Sequence, residues 1–100
     1  MPVTLIATLT ARAETREQLL LLLENLVDPT RAEDGCLNYD LHVDAENDRV
    51  FVFYEKWRSQ QDLDAHMRSS HLGRLLDRMD VLLAEPIKVQ RLDMIRPVLS

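Results

Sequence analysis

The sequence predicts an α+β fold in which four antiparallel strands form one sheet and helices cover one of its faces. Two observations carry this prediction. Segments with leucines at helical spacing are interspersed with short β-branched segments of roughly alternating polarity, and the elements follow in the order β-α-β-β-α-β. Because a chain of 100 residues has the length of one domain, we expect residues 1–100 to form a single domain.

The first third of the chain predicts a strand and then a helix. Residues 3–11 are rich in β-branched side chains and roughly alternate, as strands do. Thr15 and Gln18 have the spacing of a capping box, which predicts the start of a helix. Pro29 predicts a kink or a restart of that helix, and Gly35 predicts its end. The leucines at helical spacing are Leu19, Leu22, Leu23 and Leu26.

The middle of the chain predicts a β-hairpin. Residues 36–44 and 49–57 both alternate, and residues 46–48 between them have the composition of a turn. In the first strand, alternation predicts one face with Leu37, Tyr39, Leu41 and Val43, and another with Asn38, Asp40 and His42. In the second strand it predicts one face with Phe51, Phe53, Glu55 and Trp57, and another with Val50, Val52, Tyr54 and Lys56.

The last part of the chain predicts a broken helix and a fourth strand. Residues 59–62 form another capping box, residues 69–70 are serines that allow a break, and Pro86 ends the following helical stretch. Residues 87–95 are predicted to be a strand that Pro97 stops. The complete order is the ferredoxin-like split βαβ arrangement, with its second crossover helix broken in two.

This arrangement leaves one face of the sheet without a cover. Both crossover helices lie on the same side, and the strands are apolar enough for the other side to expose apolar surface in a monomer. A two-fold dimer that stacks sheet on sheet would cover this surface. We therefore expect a homodimer through the sheet face.

Composition excludes several classes of partner. The net charge of −5 and the pI near 5.1 argue against binding to nucleic acid or to anionic membranes, because both need a basic surface. Cys36 is the only cysteine, so no intrachain disulfide can form, which fits a reducing compartment. No apolar run approaches the ~20 residues that cross a bilayer, and the N-terminus has the pattern of a strand. We expect a cytoplasmic protein.

The strand at 49–57 and the segment after it hold the candidate chemistry. Glu55 shares its predicted face with Phe51, Phe53 and Trp57, so it is either a strand-end acid paired to an Arg or a hydroxyl, or a carboxylate that orients a polar group in an apolar pocket. Trp57 is either a core residue or a pocket wall whose indole N–H is a donor.

Two histidines follow this strand. On a continuous helix, the five-residue spacing of His66 and His71 would separate their rings by about 140°, which is not the geometry of a two-histidine metal pair. Only a break at residues 69–70 would bring them together. Either histidine is a candidate proton acceptor or a structural residue. His42, on the polar face of its strand, is expected at a dimer interface or in solvent.

Cofactor motifs are absent from the sequence. It has no phosphate-binding loop, Rossmann glycine pattern, nucleophile elbow or Cys–His metal set, and its two glycines cannot form a nucleotide cradle. We expect an enzyme built on this chain to work without a nucleotide cofactor.

Three segments taken together resemble the antibiotic biosynthesis monooxygenase (quinol monooxygenase-like) family. They are residues 33–39 (Glu-Asp-Gly-Cys-Leu-Asn-Tyr), residues 53–57 (Phe-Tyr-Glu-Lys-Trp), and the run from Ser59 through Leu63 and His66 to His71. The resemblance spans roughly residues 3–95. No single motif is diagnostic, but the ordered set with its matching layout of elements is fairly specific.

The resemblance implies a dimeric α/β barrel that oxidises a phenolic or quinol-like molecule with O₂, without metal or flavin. It implies that His66 or His71 is the base and that Glu55 or Asn38 orients the substrate. The side walls of the substrate site would be Trp57, Phe51, Phe53 and Tyr39.

Other activities of similar folds remain alternatives. Haem-degrading relatives use an Asn on the first strand, where this chain has Thr4, Thr8 and Thr10, although Trp57 and His66 could match their Trp and His. Relatives that isomerise phosphorylated sugars would need a phosphate site, for which the candidates are Arg68, Arg74 and Arg78. A non-catalytic dimer that binds a hydrophobic molecule in the same pocket is a further alternative.

Overall fold

The computed structural model describes residues 1–97, and these form the predicted order of strands and helices. The first half consists of β1 (Val3–Thr10), a short 3₁₀ turn (Ala13–Thr15), α1 (Arg16–Arg31), β2 (Cys36–Val43) and β3 (Val50–Trp57). The second half consists of α2 (Gln60–Met67), α3 (Ser70–Leu76), α4 (Met79–Leu82) and β4 (Lys88–Leu92). None of the described helices is long and apolar enough to cross a membrane.

The strands form one antiparallel sheet in the order β2-β3-β1-β4. Alternation places the apolar side chains of β1 and β3 on the face that the helices cover, as predicted. The buried residues of this face include Val3, Leu5, Leu9, Phe51, Phe53 and Trp57, and they pack against Leu19, Leu23 and Leu26 of α1. The predicted ferredoxin-like fold with helices on one face is confirmed.

The opposite face of the sheet is only partly apolar. The side chains that β1 and β3 present there are all half-buried, and they are Thr4, Ile6, Thr8, Thr10, Val50, Val52, Tyr54 and Lys56. Asn38 and His42 on β2 are exposed at its edge. The homodimer through this face stays a prediction.

The first helix departs from prediction in two ways. α1 continues through Pro29 to Arg31 without a restart, because backbone hydrogen bonding resumes beyond the proline, where the Ala32 N–H donates to the Asp28 carbonyl at 3.1 Å. The capping box of Thr15 and Gln18 does not form. The Thr15 hydroxyl instead accepts from the backbone N–H of Arg12 and donates to the Leu82 carbonyl at 2.7 Å, which ties the start of α1 to α4.

A β-bulge changes the predicted faces of β2. Cys36 pairs with Trp57 and Asn38 pairs with Lys56, so Leu37 is the extra residue. Leu37 is therefore 52% exposed and does not share the face of Tyr39 as predicted. After the bulge the alternation holds, and Tyr39 lies opposite Glu55.

The C-terminal part differs from prediction in two ways. The second crossover has three helical pieces instead of two, because a further break separates α3 from α4. β4 ends at Leu92 and does not extend to residue 95. Its pairing with β1 runs from Lys88 opposite Thr8 to Leu92 opposite Thr4, and since β1 begins at Val3, later residues have no partner strand.

Candidate functional site

A cavity of about 410 Å³ lies between the sheet and the α2–α3 segment. Its sheet side consists of Leu5, Ala7, Leu9, Tyr39, Phe53 and Glu55. Its helix side includes Leu63, His66, Met67, Leu72, Leu75 and Leu76, and its opening includes Gln60, Asp64, Val89 and Arg91. The lining is mostly apolar with a few polar groups, which is the usual composition of a small-molecule site.

Both candidate histidines meet at Glu33. Glu33 Oε2 lies 2.7 Å from His66 Nδ1 and 2.7 Å from His71 Nε2. The chain makes this possible at Ser69, whose hydroxyl donates to the His66 carbonyl at the end of α2 and accepts from the Leu72 N–H at the start of α3. The rings would diverge only on a continuous helix, and the break at residues 69–70 brings them together.

The turn between α1 and β2 positions Glu33. Gly35 has a φ of +82°, a conformation that favours glycine, and a Cβ there would overlap the Asp62 side chain at the start of α2. The Gly35 carbonyl also accepts from the Arg58 N–H at 2.8 Å. The turn is thus packed directly against the beginning of α2, which fixes Glu33 beside His66.

His66 is a buried imidazole on the cavity wall. It is 2% exposed, and its ring centroid lies 4.6 Å from that of Trp57 and 5.5 Å from that of Tyr39. Burial lowers the pKa of His66, against the opposing effect of its hydrogen bond to Glu33. A neutral His66 donates Nδ1–H to Glu33, which leaves its lone pair on Nε2, and within residues 1–97 Nε2 has no hydrogen-bond partner.

Glu55 is a buried acidic group in the cavity lining. It is 6% exposed, and its Oε1 accepts a hydrogen bond from Trp57 Nε1 at 3.1 Å. Its partner is therefore an indole, not the arginine or hydroxyl that one interpretation of the sequence predicted. Burial raises the pKa of Glu55, while the hydrogen bond from Trp57 opposes this shift.

Tyr39 is a buried aromatic side chain in the cavity lining. Its ring stacks on Phe53 with centroids 4.4 Å apart, and it is 2% exposed. Burial raises the pKa of Tyr39, so the phenol stays protonated near neutral pH.

The structure brings together some of the predicted site residues and separates others. Tyr39, Phe53, Glu55 and His66 line the cavity. Trp57 and Phe51 are buried but outside the lining, Trp57 against His66 and Phe51 beneath the guanidinium of Arg16. His71 lies behind the wall, on Glu33.

Asn38 is not part of this cavity. It pairs with Lys56 on the opposite face of the sheet, where it is exposed and its amide donates to Asp40 at 3.4 Å. Asn38 therefore does not line this cavity, because alternation after the bulge turns it away, and its contact with substrate stays a prediction.

Sequence reasoning missed Glu33 as a site residue. It lies 33 positions before His66 and 38 before His71, so no local spacing connects the three. The available signal was an acid next to the Asp-Gly turn, inside the segment that carries the family resemblance.

Glu33, His66 and His71 are also the set that could hold a metal ion. Their ligand atoms all lie within 4.8 Å of one another. Two imidazoles and a carboxylate are common metal ligands, although the present contacts are also fully explained by two N–H···O hydrogen bonds.

A larger concavity of about 700 Å³ lies between α1 and the α3–α4 segment, away from the histidines. Arg74 and Arg78 line it together with Asp77, and the described ion pairs include neither arginine. It has no buried acid–base pair, so the smaller cavity is the better candidate for a site of reaction.

Comparison with known proteins finds relatives along most of the chain. Residues 2–78 match the family described as Antibiotic biosynthesis monooxygenase. The chain is 39% identical to "Putative monooxygenase Rv0793" of Mycobacterium tuberculosis over 88 residues, which are 88% of this chain and 86% of that protein. It is 26% identical to the uncharacterized protein sll1783 of Synechocystis over 89% of this chain, and it spans 60% of that protein's length.

Solved structures agree with this relationship. The structure of Rv0793 superposes with a TM-score of 0.91 at 36% identity and covers 97% of this chain and 98% of that chain. The crystal structure of PA3566 from Pseudomonas aeruginosa superposes with a TM-score of 0.90 at 39% identity and covers 95% of each chain. The resemblance seen in the sequence is confirmed.

Proposed function

This chain belongs to the antibiotic biosynthesis monooxygenase family, and from that premise we propose that it oxidises a phenolic or quinol-like aromatic molecule with O₂ without a cofactor. The observation that carries the proposal is the imidazole of His66, held by Glu33 with its free Nε2 at the wall of an apolar cavity. A cavity of about 410 Å³ with an aromatic side suits a flat aromatic substrate.

The first step is a proton transfer. His66 Nε2 accepts the phenolic proton, and the Glu33 carboxylate stabilises the imidazolium that forms, because it already accepts the hydrogen bond from Nδ1. His71 donates to the same oxygen and so limits the movement of Glu33. The apolar lining keeps bulk water from competing with the substrate for His66.

The electrons come from the substrate. The phenolate passes one electron to O₂, and the resulting phenoxyl radical and superoxide combine to form a C–O bond at a ring carbon. That carbon then loses its proton while the O–O bond breaks, which leaves a carbonyl group. The distal oxygen leaves as water with the two protons removed from the substrate, so one O₂ is consumed for each carbonyl formed.

Glu55 is proposed to orient the substrate. One of its oxygens accepts from Trp57, and the other has no partner within residues 1–97, so it can accept from a substrate hydroxyl. Its place in the cavity lining supports this assignment.

Oxygen uptake with a panel of hydroquinones and naphthols tests the proposal. We expect the wild-type protein to consume O₂ with at least one of them, and His66→Gln to lower turnover by roughly 10²- to 10⁴-fold, the usual contribution of a general base. His42→Gln is the matched control, because His42 is exposed on the opposite sheet face. Full turnover in His66→Gln would rule out this base.

The runner-up is a non-catalytic protein that binds a hydrophobic molecule, supported by the same apolar lining. Tight binding of an aromatic ligand with no oxygen uptake across the panel would favour it. A haem-handling activity is tested separately by titration with haemin, where the absence of a Soret shift would remove it.

We also propose that the protein is a cytoplasmic homodimer. Ile6, Val52 and Tyr54 form a half-buried apolar centre on the uncovered sheet face, which supports pairing through that face. Since the chain weighs 11.6 kDa, sedimentation at about 12 kDa in micromolar solution would contradict the dimer. The single cysteine and the acidic composition support the cytoplasmic assignment.

A further inference from the structure

Three potential metal ligands lie close together at the Nδ1 side of the His66 ring, and Nε2 is not one of them. Glu33 Oε2, His66 Nδ1 and His71 Nε2 lie within 4.8 Å of one another. Within residues 1–97, the ion pairs of Glu33 are to these two histidines and to no lysine or arginine. Two imidazoles with one carboxylate form the protein ligand set of many zinc sites, whereas Mg²⁺ and Ca²⁺ prefer oxygen ligands.

Only a small rearrangement separates the present geometry from coordination. The two nitrogens each lie 2.7 Å from Glu33 Oε2, the distance of a hydrogen bond. Ligand atoms about 2.1 Å from a tetrahedral ion lie roughly 3.4 Å apart, so each contact must open by about 0.7 Å. Rotation of the Glu33 side chain can supply this shift, since Glu33 follows the end of α1 and is not inside a regular element.

An ion can approach this set without entering the cavity. The side chains of Glu33 and His71 are 15% and 16% exposed, whereas that of His66 is 3% exposed. His71 is absent from the cavity lining, and His66 belongs to it. A cation would therefore arrive from solvent at Glu33 and His71, with water completing its coordination.

We propose that Glu33, His66 and His71 form a binding site for a divalent cation of the zinc class, and that occupation of this site switches His66 off as a base. The second half of this statement rests on the proposed function, whereas the binding itself does not.

The switch follows from the chemistry of the imidazole ring. A neutral imidazole has one N–H and one lone pair. Without metal, Nδ1–H of His66 donates to Glu33 and the lone pair on Nε2 faces the cavity. With metal on Nδ1, the lone pair must be there, so the proton moves to Nε2 and His66 becomes a donor toward the cavity. For the cavity, the difference between the two states is whether His66 Nε2 holds a lone pair or a proton.

Competition between the protein and a chromophoric zinc chelator at about pH 7.5 tests the binding. We expect one Zn²⁺ per chain for the wild type. Glu33→Gln keeps a hydrogen-bond acceptor but loses the charge, and His71→Asn keeps a donor but loses the imidazole. Each variant should bind Zn²⁺ more weakly by at least roughly tenfold, since changes even outside the first ligand shell have such effects.

His42→Asn is the control, because this exposed histidine lies outside the three-residue set. Unchanged binding in His42→Asn together with weakened binding in the other two supports the site. No stoichiometric binding by the wild type, or equal binding in all variants, would overturn it. If a variant does not fold, imidazole ¹⁵N spectra of the wild type decide: Zn²⁺ must shift the signals of His66 and His71 and leave those of His42 in place.

Inhibition is measured separately. If the protein consumes O₂ with a quinol, Zn²⁺ should inhibit the reaction at the concentrations that fill the site, and chelator should restore it. Binding without inhibition would overturn the switch but not the site. A protein that binds Zn²⁺ and has no oxygenase activity would contradict the proposed function, and with it the switch, but would leave the metal site in place.

Discussion

Two glutamates near the candidate histidines, Glu33 behind the cavity wall and Glu55 in the cavity lining, are held in different ways. Glu33 accepts from two imidazoles and keeps 15% of its side chain exposed. Glu55 is 6% exposed and accepts from a single indole. The difference shows how one residue type can serve two purposes. The Glu33 carboxylate holds the His66 ring in place, whereas the buried Glu55 carboxyl group has a raised pKa and one oxygen without a hydrogen-bond partner among the described residues.

The same contrast exists between the histidines. His66 reaches the cavity, and His71 reaches only Glu33. Their closeness depends on the helix break at Ser69, whose hydroxyl ends one helix and caps the next. The break between α2 and α3 thus allows the His66 and His71 rings to contact the same oxygen, Glu33 Oε2.

Among changes to the two glutamates and their partners, the largest effect is expected from Glu33→Gln on turnover. The amide can donate to His66 Nδ1, which would favour the tautomer with the proton on Nε2, so kcat should fall by roughly a hundredfold with a smaller change in KM. Steady-state oxygen uptake across pH checks this, because loss of a positioning carboxylate should also move the acid limb of the profile. An unchanged kcat and profile would show that Glu33 does not position the base.

A smaller effect is expected on stability from Trp57→Phe. This change keeps most of the buried ring but leaves Glu55 without its donor, which should lower the free energy of unfolding by about 1–3 kcal/mol. Urea denaturation measures it. In a Glu55→Leu background, Trp57→Phe should lower the free energy of unfolding by less. An equal loss in both backgrounds would mean that the hydrogen bond between Trp57 and Glu55 does not contribute to stability.

The next prediction concerns the pH dependence of stability at Glu55. Because burial raises its pKa in the folded state, its contribution is fully present below the ordinary value of 4.5 and is lost as pH rises through the folded value. Glu55→Gln should therefore gain stability relative to wild type between about pH 4 and pH 7.5. Urea unfolding at both pH values checks the sign, and a relative loss at the higher pH would contradict it.

The smallest effect is expected from Asn38→Ala. Since Asn38 is exposed on the opposite sheet face, turnover should stay within about twofold and the free energy of unfolding within about 0.5 kcal/mol of wild type. A large loss of oxygen uptake would indicate that Asn38 contacts the substrate after all. Such a contact would have to involve a second chain, because Asn38 does not line the cavity of its own chain.

Much of the fold follows from periodicity in the sequence. Alternation places Phe53 and Glu55 on the covered sheet face, and the paired serines before His71 indicate the helix break. The bulge at Leu37 could not be foreseen, because it depends on the register between two strands.

The site was less accessible to sequence reasoning. His66 and Glu55 were identified, but their surroundings depend on contacts over long separations, such as that of Glu33 with His71. Glu33 lies in a turn and the two histidines lie on either side of a helix break, so no fixed spacing in the sequence indicates that they are in contact.

The most direct test of His66 as the base is its tautomer in the metal-free protein, measured by long-range ¹H–¹⁵N NMR at about pH 7.5. We predict a neutral ring with its proton on Nδ1 and a lone pair on Nε2, and Glu33→Gln should disturb this state. A ring with its proton on Nε2, or an imidazolium at this pH, would contradict the claim that His66 is held ready as the base.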